Sequence, residues 1–444
     1  MSSELQDIVD DLAQRLDAPT VLEDHEERMV VYSSHSQPID EVRRDSILRR
    51  ATRHEVMTWF REQGILEARE PLRIPRQPGE GILGRLCVPV RHRGFLMGWL
   101  FLIDDDQRLT DTEVAVAHRA AGHAALLLYE EQLAARLASG ALSHLLSPAE
   151  DLREEAAAQI ADQGLLSGRG PVAIAVAQPL GLDERMARQR VSEALRDVAR
   201  GVGSHRSLAS GQALQLACTD HAVVLVRTGP GEGVAEQVAD AVAAVLRCRV
   251  GDTREARVVA AVGDPQARLA DAHLSYRQAR LAAKVAGVVP SVGEVVHWRD
   301  LGVFRTLAML PESAAESSLD PRVSILFAAG SAELVTTLEV YLDLGCDAKA
   351  ASERLHLHRA TLYYRLEKVA RLTDANLRDG NDRLALHLGF KLARLAGLHP
   401  CPGWASGASD RSADVGTGPL IPRQMQVPET ERAALGSSRA GRAQ

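Results

Sequence analysis

The residues best able to do chemistry crowd the stretch LHLHRATLYYRLEKV, from Leu355 to Val369. His356 and His358 could hold a metal ion, Thr361 with Tyr363 and Tyr364 could donate hydrogen bonds, and Arg359, Arg365 and Lys368 could hold an anion. Metal binding needs convergent ligands. Two histidines two residues apart leave a helix on different faces, and no cysteine or carboxylate stands next to them, so the spacing does not favour a metal. Nucleophilic catalysis needs an activated Ser or Cys at an exposed elbow, and none is offered here. A merely solvated face would explain the cations but has no use for two adjacent tyrosines. Between Arg354 and Arg371 five cations face Glu367 alone, a local excess of four positive charges on a chain of formal net charge −7. A patch of this kind suits phosphate.

The surrounding sequence predicts the elements that hold these side chains. ELVTTLEVYLDLG reads as a helix closed by Gly345, a natural C-cap. Asp347 can cap a short helix carrying Ala350 and Ala351, small enough for close packing. After the His356–Leu357 link a longer helix starts near His358. A short helix, a tight turn and a longer helix make a helix-turn-helix. At about 100° per residue, Leu362, Leu366 and Val369 share a core stripe. Ala360, Tyr364, Glu367 and Lys368 lie opposite, with Thr361 and Tyr363 flanking and Arg359 projecting from the first turn. Arg365 falls near the core edge, where an ion pair within the fold competes with an external contact.

The whole chain bounds the possibilities. Its 444 residues are 45% hydrophobic, enough for two or three domains with cores of their own. With a pI near 6.1, any nucleic-acid contact must be local. Cys87, Cys218, Cys248, Cys346 and Cys401 are scattered and odd in number, which argues against a disulfide framework or a zinc site. The opening MSSELQDIVDDLAQRL is amphipathic and acidic, unlike a signal peptide, and GFLMGWLFLI is too short to span a bilayer, so a cytoplasmic protein is expected, with no membrane partner.

Along the chain, residues 1–128 alternate strand and helix signals. PTVLEDHEERMVVYS reads as two strands around an acidic turn, and GRLCVPVRHRGFLMGWLFLIDD as a hairpin turning at RHRG. Thr110–Glu113 has the form of a capping box opening a long helix. Its register runs Val114, Ala117, Ala121, Ala124, Leu128 and on through Glu131, Ala135, Ala138, Leu142 and Leu145. The first half should pack on its own sheet, and residues 129–165 form a helical linker that could pair with a second copy. Residues 166–310 alternate again, with strands in PVAIAVAQP, ALQLACTD, HAVVLVRT and ARVVAAVG, as an α/β sandwich does. Residues 331–398 are helical. Residues 399–444, rich in Gly, Ser and Pro, should be a disordered tail.

Three resemblances attach to these segments. The hairpin and capped helix of the first region resemble a GAF domain, which implies a sensing module for a small molecule or a protein. The segment VVAAVGDPQARLADAHLSYRQARLAAKVA resembles the degenerate GGDEF-like, cyclase-like domain of PucR and CdaR regulators. A working cyclase needs a GGDEF turn and paired carboxylates, which QLACTDHAVVLVRT lacks, so a non-catalytic scaffold is expected. The stretch LVTTLEVYLDLGCDAKAASERLHLHRATLYYRLEKVARL closely resembles the PucR-type C-terminal DNA-binding domain, and its R.TL turn is similar to the recognition helix of the nucleoid protein Fis. The likeness implies that Arg359 reaches a base edge while Thr361 and Lys368 bind phosphate. His358, Ala360, Tyr363, Tyr364 and Arg365 complete the expected DNA surface. Ala360 stands where relatives usually carry Asn, removing one possible base contact.

The expected architecture is therefore multidomain α/β, a GAF-like sensor and a cyclase-like sandwich, with a C-terminal all-α helix-turn-helix. The expected protein is a bacterial transcriptional regulator without a cofactor or enzymatic activity. Its expected partners are double-stranded operator DNA, a small-molecule effector of unknown identity and a second copy of itself. The competing classes are a nucleotide-cyclase-like enzyme and an interaction adaptor with a vestigial helix-turn-helix.

Overall fold

The computed structural model describes residues 2–34, 39–49, 52–77, 79, 81–199, 213–228, 234–250, 257–311 and 317–399. The segment expected to be a disordered tail lies, but for His399, outside them. The chain divides into two compact units near Gly140.

The first unit is built on a five-stranded antiparallel sheet in the order β2-β1-β5-β4-β3. The strands are β1 (Thr20–Asp24), β2 (Met29–Tyr32), β3 (Leu72–Ile74), β4 (Arg85–His92) and β5 (Phe95–Ile103). The β4–β5 hairpin turns at Arg93 and Gly94, both with positive φ (49° and 86°), the geometry that matches strand twist. The acidic turn between β1 and β2 is held by Asp24, whose carboxylate accepts from the Glu26 and Arg28 amides at 3.0 Å. Alternation along β4 sends Leu86, Val88 and Val90 to one face and Arg85 and Cys87 to the other. The first face packs on α1 (Ser2–Leu16) and on the front half of α4 (Asp111–Leu145). The second meets α2 (Glu41–Arg49) and α3 (His54–Glu62).

The capping box at the start of α4 forms: the Thr110 amide donates to Glu113 at 2.8 Å, and the Glu113 amide donates back to Thr110 Oγ1 at 3.4 Å. The helical register divides between its two halves. Ala117, Ala121, Ala124 and Leu128 are buried on the unit's own sheet. Leu142 and Leu145 are buried as well, while Glu131 and Ala135 are exposed. The exposed leucines of this helix are Leu126, Leu133 and Leu137, on another stripe. Burial on the home sheet thus takes the front half of the register, as expected, and stops at Leu128.

The second unit begins with the last turn of α4, continues through α5 (Glu150–Asp162) and carries a second five-stranded sheet, ordered β10-β9-β6-β8-β7. The expected strands are present as β6 (Val172–Leu180), β7 (Ala213–Ala217), β8 (Ala222–Arg227) and β9 (Arg257–Val262). The edge strand β10 (Val295–His297), parallel to β9, is only three residues long and leaves no alternation to read. One face is covered by α6 (Glu184–Ala199) and α7 (Val234–Val250), whose Val238, Ala239, Val242 and Leu246 meet Ala175, Val224 and Ala260 of the sheet. On α8 (Ala272–Val288), Ala279, Ala282, Ala283 and Ala286 are buried, and the helix comes close to β9: a Cβ on Gly263 would stand 2.0 Å from the Ser275 carbonyl oxygen.

A short α9 (Phe304–Leu307) leads to a helical bundle. Its members are α10 (Pro321–Ala328), α11 (Ala332–Asp343), α12 (Ala348–Arg354), α13 (Arg359–Thr373) and α14 (Gly380–Leu395). The bundle starts earlier than the expected residue 331. Asp320 caps α10, accepting from the Arg322 amide at 2.9 Å, with Pro321 in the first turn where its missing N–H costs nothing. Leu319, Val323, Leu326 and Phe327 then join the bundle core. Among the described residues no helix is long and apolar enough to cross a membrane.

Candidate nucleic-acid interface

The turn between α12 and α13 is set by its backbone. Asp347 caps α12, accepting from the Lys349 and Ala350 amides at 2.8 and 3.1 Å. At the other end the Leu357 amide reaches the Ser352 carbonyl at 2.9 Å and the His356 amide reaches Glu353 at 3.2 Å. This is a Schellman closure, with His356 in the left-handed position (φ 52°) where glycine is usual. His358 is the N-cap of α13: its Nδ1 accepts from the Ala360 amide at 3.3 Å. Both histidines thus shape the turn.

The stripe of Leu362, Leu366 and Val369 is buried as the wheel requires, joined by Thr373. On the other side Arg359, Ala360, Thr361, Glu367 and Lys368 are exposed, and so are Tyr363 and Tyr364, at 57% and 61%. Arg365 departs from the expected surface. Its guanidinium lies 2.7 Å from Glu333 Oε2 and 3.4 Å from Thr337 Oγ1, tying α13 back to α11. Lys349, exposed in the first turn of α12, escaped the sequence reading, which stopped at Arg354 when counting charges. It belongs to the same surface as Arg359. The Asp347 carboxyl is held below its usual range by the Ala350 and Lys349 amides, and then by the Lys349 and Arg359 charges.

α13 shares its core with α11 and α14, which are tied to each other by charge. Glu339, nearly fully buried, accepts from Arg394 Nε at 2.6 Å, with His399 Nε2 at 3.3 Å and Lys391 Nζ at 3.8 Å. Lys391 and His387 both reach Asp343 at 2.6 Å. Burial alone would raise the Glu339 pKa, but the hydrogen bonds from His399 and Arg394 outweigh it and bring it down from 4.5 to about 2. A carboxylate depressed in the folded state adds stability that is full above its unfolded value and fades as pH falls through the folded one. The bundle should therefore lose stability between pH 4.5 and about 2. Arg394→Ala, which leaves Glu339 short of its main partner, should cost about 3–5 kcal/mol at pH 7. Thermal melts of the wild type and the variant across this pH range check both statements. Equal melting temperatures at pH 7 would contradict them.

A short capped helix, a tight turn and a second helix with a cationic, exposed first turn define a helix-turn-helix DNA-binding protein. Comparison with known proteins agrees. Residues 334–392 match the PucR C-terminal helix-turn-helix domain, and residues 148–285 match a GGDEF-like domain. The chain thus carries a PucR-type helix-turn-helix behind a GGDEF-like domain and is a DNA-binding transcriptional regulator. It is 23% identical to the proline-responsive transcriptional activator PutR of Bacillus subtilis over 411 residues, 88% of this chain and 97% of that one. It is 19% identical to the DNA-binding transcriptional activator AdeR of the same organism, over 88% of this chain and 93% of that one. The purine catabolism regulatory protein of Bacillus subtilis is 31% identical over 129 residues, 29% of this chain and 22% of that one.

Proposed function

We propose that a dimer of this chain binds paired operator half-sites through the first turn of α13, and that a small molecule held by residues 1–128 alters that binding. The observation that carries the proposal is the exposed first turn of α13, with Arg359 and Thr361 beside Lys349, on a bundle braced by buried ion pairs. Arg359 reads a base edge; Thr361, Lys368 and Lys349 hold phosphates. His358 and Ala360 bring the helix end close to the backbone, and Tyr363 and Tyr364 line the groove wall. Arg365 is a brace rather than a contact, since Glu333 already holds it.

Residues 1–128 are the sensor, of GAF-like type, and the antiparallel sheet with helices on both faces supports that assignment. The effector is a small metabolite, as the responsiveness in the name of the relative PutR suggests. The middle domain is a scaffold without catalysis. In the β7–β8 turn Asp220 is already committed to His221 Nδ1 at 2.6 Å, to Gln178 at 3.1 Å and to Arg280 at 3.2 Å, leaving no acidic pair for metal ions. The protein works in the cytoplasm, where its DNA is. Pairing runs through the exposed Leu126, Leu133 and Leu137 of α4, whose spacing suits a helix-to-helix seam.

Selection of bound sequences from a random DNA pool, with sedimentation of the same protein, tests the proposal. Enriched sites should carry two half-sites spaced by about 34 Å or a multiple. Leu133→Asp with Leu137→Asp should give a monomer that selects no paired site. A single unpaired short site, or a wild-type monomer, would overturn the dimeric part of the reading. No enrichment at all would overturn DNA recognition itself.

A further inference from the structure

The second face of the first unit's sheet, mostly apolar, carries a buried charged cluster. Glu23 comes from β1, Arg85 from β4, Asp40 from the residue before α2, and Arg43 from α2 itself. All four are buried, with exposures of 2%, 5%, 6% and 3%. Asp40 and Arg85 satisfy each other through an ion pair, and Asp40 also accepts from the Arg43 amide at 2.7 Å and the Leu83 amide at 3.0 Å. Glu23 and Arg43 are left over. Glu23 Oε1 accepts from Thr52 at 2.7 Å, but its Oε2 has no partner. Arg43 leaves Nε and Nη2 without partners. The two charges feel each other, yet among the described residues no hydrogen bond or ion pair joins them.

Such an arrangement is costly, because a buried charge without a partner is among the most destabilising features a fold can carry. The groups respond accordingly. Burial pushes Glu23 up to about 7, and burial with repulsion from Arg85 brings Arg43 down to about 10. A ligand of complementary charge would remove both penalties. The cluster as a whole is balanced, two carboxylates against two guanidiniums, so a ligand with net charge would leave an excess in the interior. A ligand with one cationic and one anionic end would not. Trp99 lies across from Glu23 in the β1–β5 register, Phe101 is stacked on Phe60 at 5.2 Å, and Arg85 sits over the Phe60 ring at 5.0 Å. These rings supply an apolar wall for a side chain.

We propose that Glu23 and Arg43 are the two poles of a binding site for a small zwitterion, a free α-amino acid, whose ammonium group rests on Glu23 and whose carboxylate rests on Arg43. The inference rests on the sensor role of residues 1–128 and gives that role its ligand class. Thr52 Oγ1 already bridges Glu23 of β1 at 2.7 Å and Ser46 of α2 at 3.0 Å; binding would add a direct tie from Glu23 to Arg43 and so favours one state of the unit over another.

The test is calorimetric titration of the full chain with each of the twenty protein amino acids, proline included, followed by the amide and the N-acetyl derivative of any that bind. At least one amino acid should bind saturably, and either derivative should bind at least about tenfold more weakly, a loss of about 1.4 kcal/mol. Glu23→Gln and Arg43→Gln should each weaken binding of the parent amino acid to a similar degree. If either variant fails to fold, the wild-type comparison of derivatives decides alone. The proposal is overturned if no amino acid binds, if the derivatives bind as well as the parent, or if both folded variants bind unchanged. DNA binding by the unliganded wild type, measured in parallel, separates the two claims. Intact DNA binding with no amino-acid binding removes this site alone, and absent DNA binding removes the regulator reading.

Discussion

Arg359→Ala is expected to weaken operator binding by about 1–3 kcal/mol while relaxing preference at one position in each half-site. The side chain stands exposed in the first turn of α13, where the recognition helix of a helix-turn-helix meets base edges. Its planar fork matches the O6 and N7 acceptors of guanine, and no other base pair offers the same pair in the major groove. Lys368, also exposed and about two and a half turns further along α13, should behave differently. Lys368→Ala should weaken specific and random DNA alike and lower the salt dependence by about one unit per subunit, because a phosphate contact carries no sequence information. Neither side chain touches the buried stripe of Leu362, Leu366 and Val369, so both variants should melt as the wild type does. Affinities on the selected operator and on random DNA, at several salt concentrations, check the pair. Equal losses on both DNAs for both variants would sink the distinction.

Phe390→Ala should have the opposite signature. Phe390 is fully buried in α14, 6.0 Å from the Phe327 ring and 6.1 Å from His399. Next to it Gly389 lets α14 press so closely on α10 that a Cβ would stand 2.7 Å from Val323 Cγ2. Neighbours held this tightly cannot collapse into the space of a lost ring, so the truncation should cost about 3–5 kcal/mol. DNA binding should fall with the bundle although every exposed contact residue is intact. Thermal melts with binding measured well below the melting temperature distinguish the two effects. Normal stability with lost binding would mean that α14 acts on DNA directly.

Legibility of the sequence differed sharply between regions, for physical reasons. The helix-turn-helix was readable because every level agrees there: an Asp cap at 347, small residues at 350 and 351, a three-residue stripe and an excess of cations. The β4–β5 hairpin was readable because alternation and the Arg93–Gly94 turn point the same way. In α4 a period of three and four describes any buried stripe, so periodicity alone could not say where cover by the home sheet ends; the structure ends it at Leu128. Arg365 sat at the edge of the wheel, and its fate depended on Glu333, thirty-two residues away in sequence. The Glu23–Arg43 cluster left no sequence signal, because its members come from β1 and α2 and meet only through the fold. Strand β10, three residues long, carried too little pattern to be seen.

The central claim is that the first turn of α13 reads a base in the operator. Methylation interference on the selected operator tests it most directly, because a methyl group on guanine N7 blocks the acceptor that Arg359 would use. The account predicts that methylation of one guanine per half-site abolishes binding of the wild-type chain, and that Arg359→Ala becomes indifferent to that guanine alone. Interference identical in the wild type and in Arg359→Ala would contradict it.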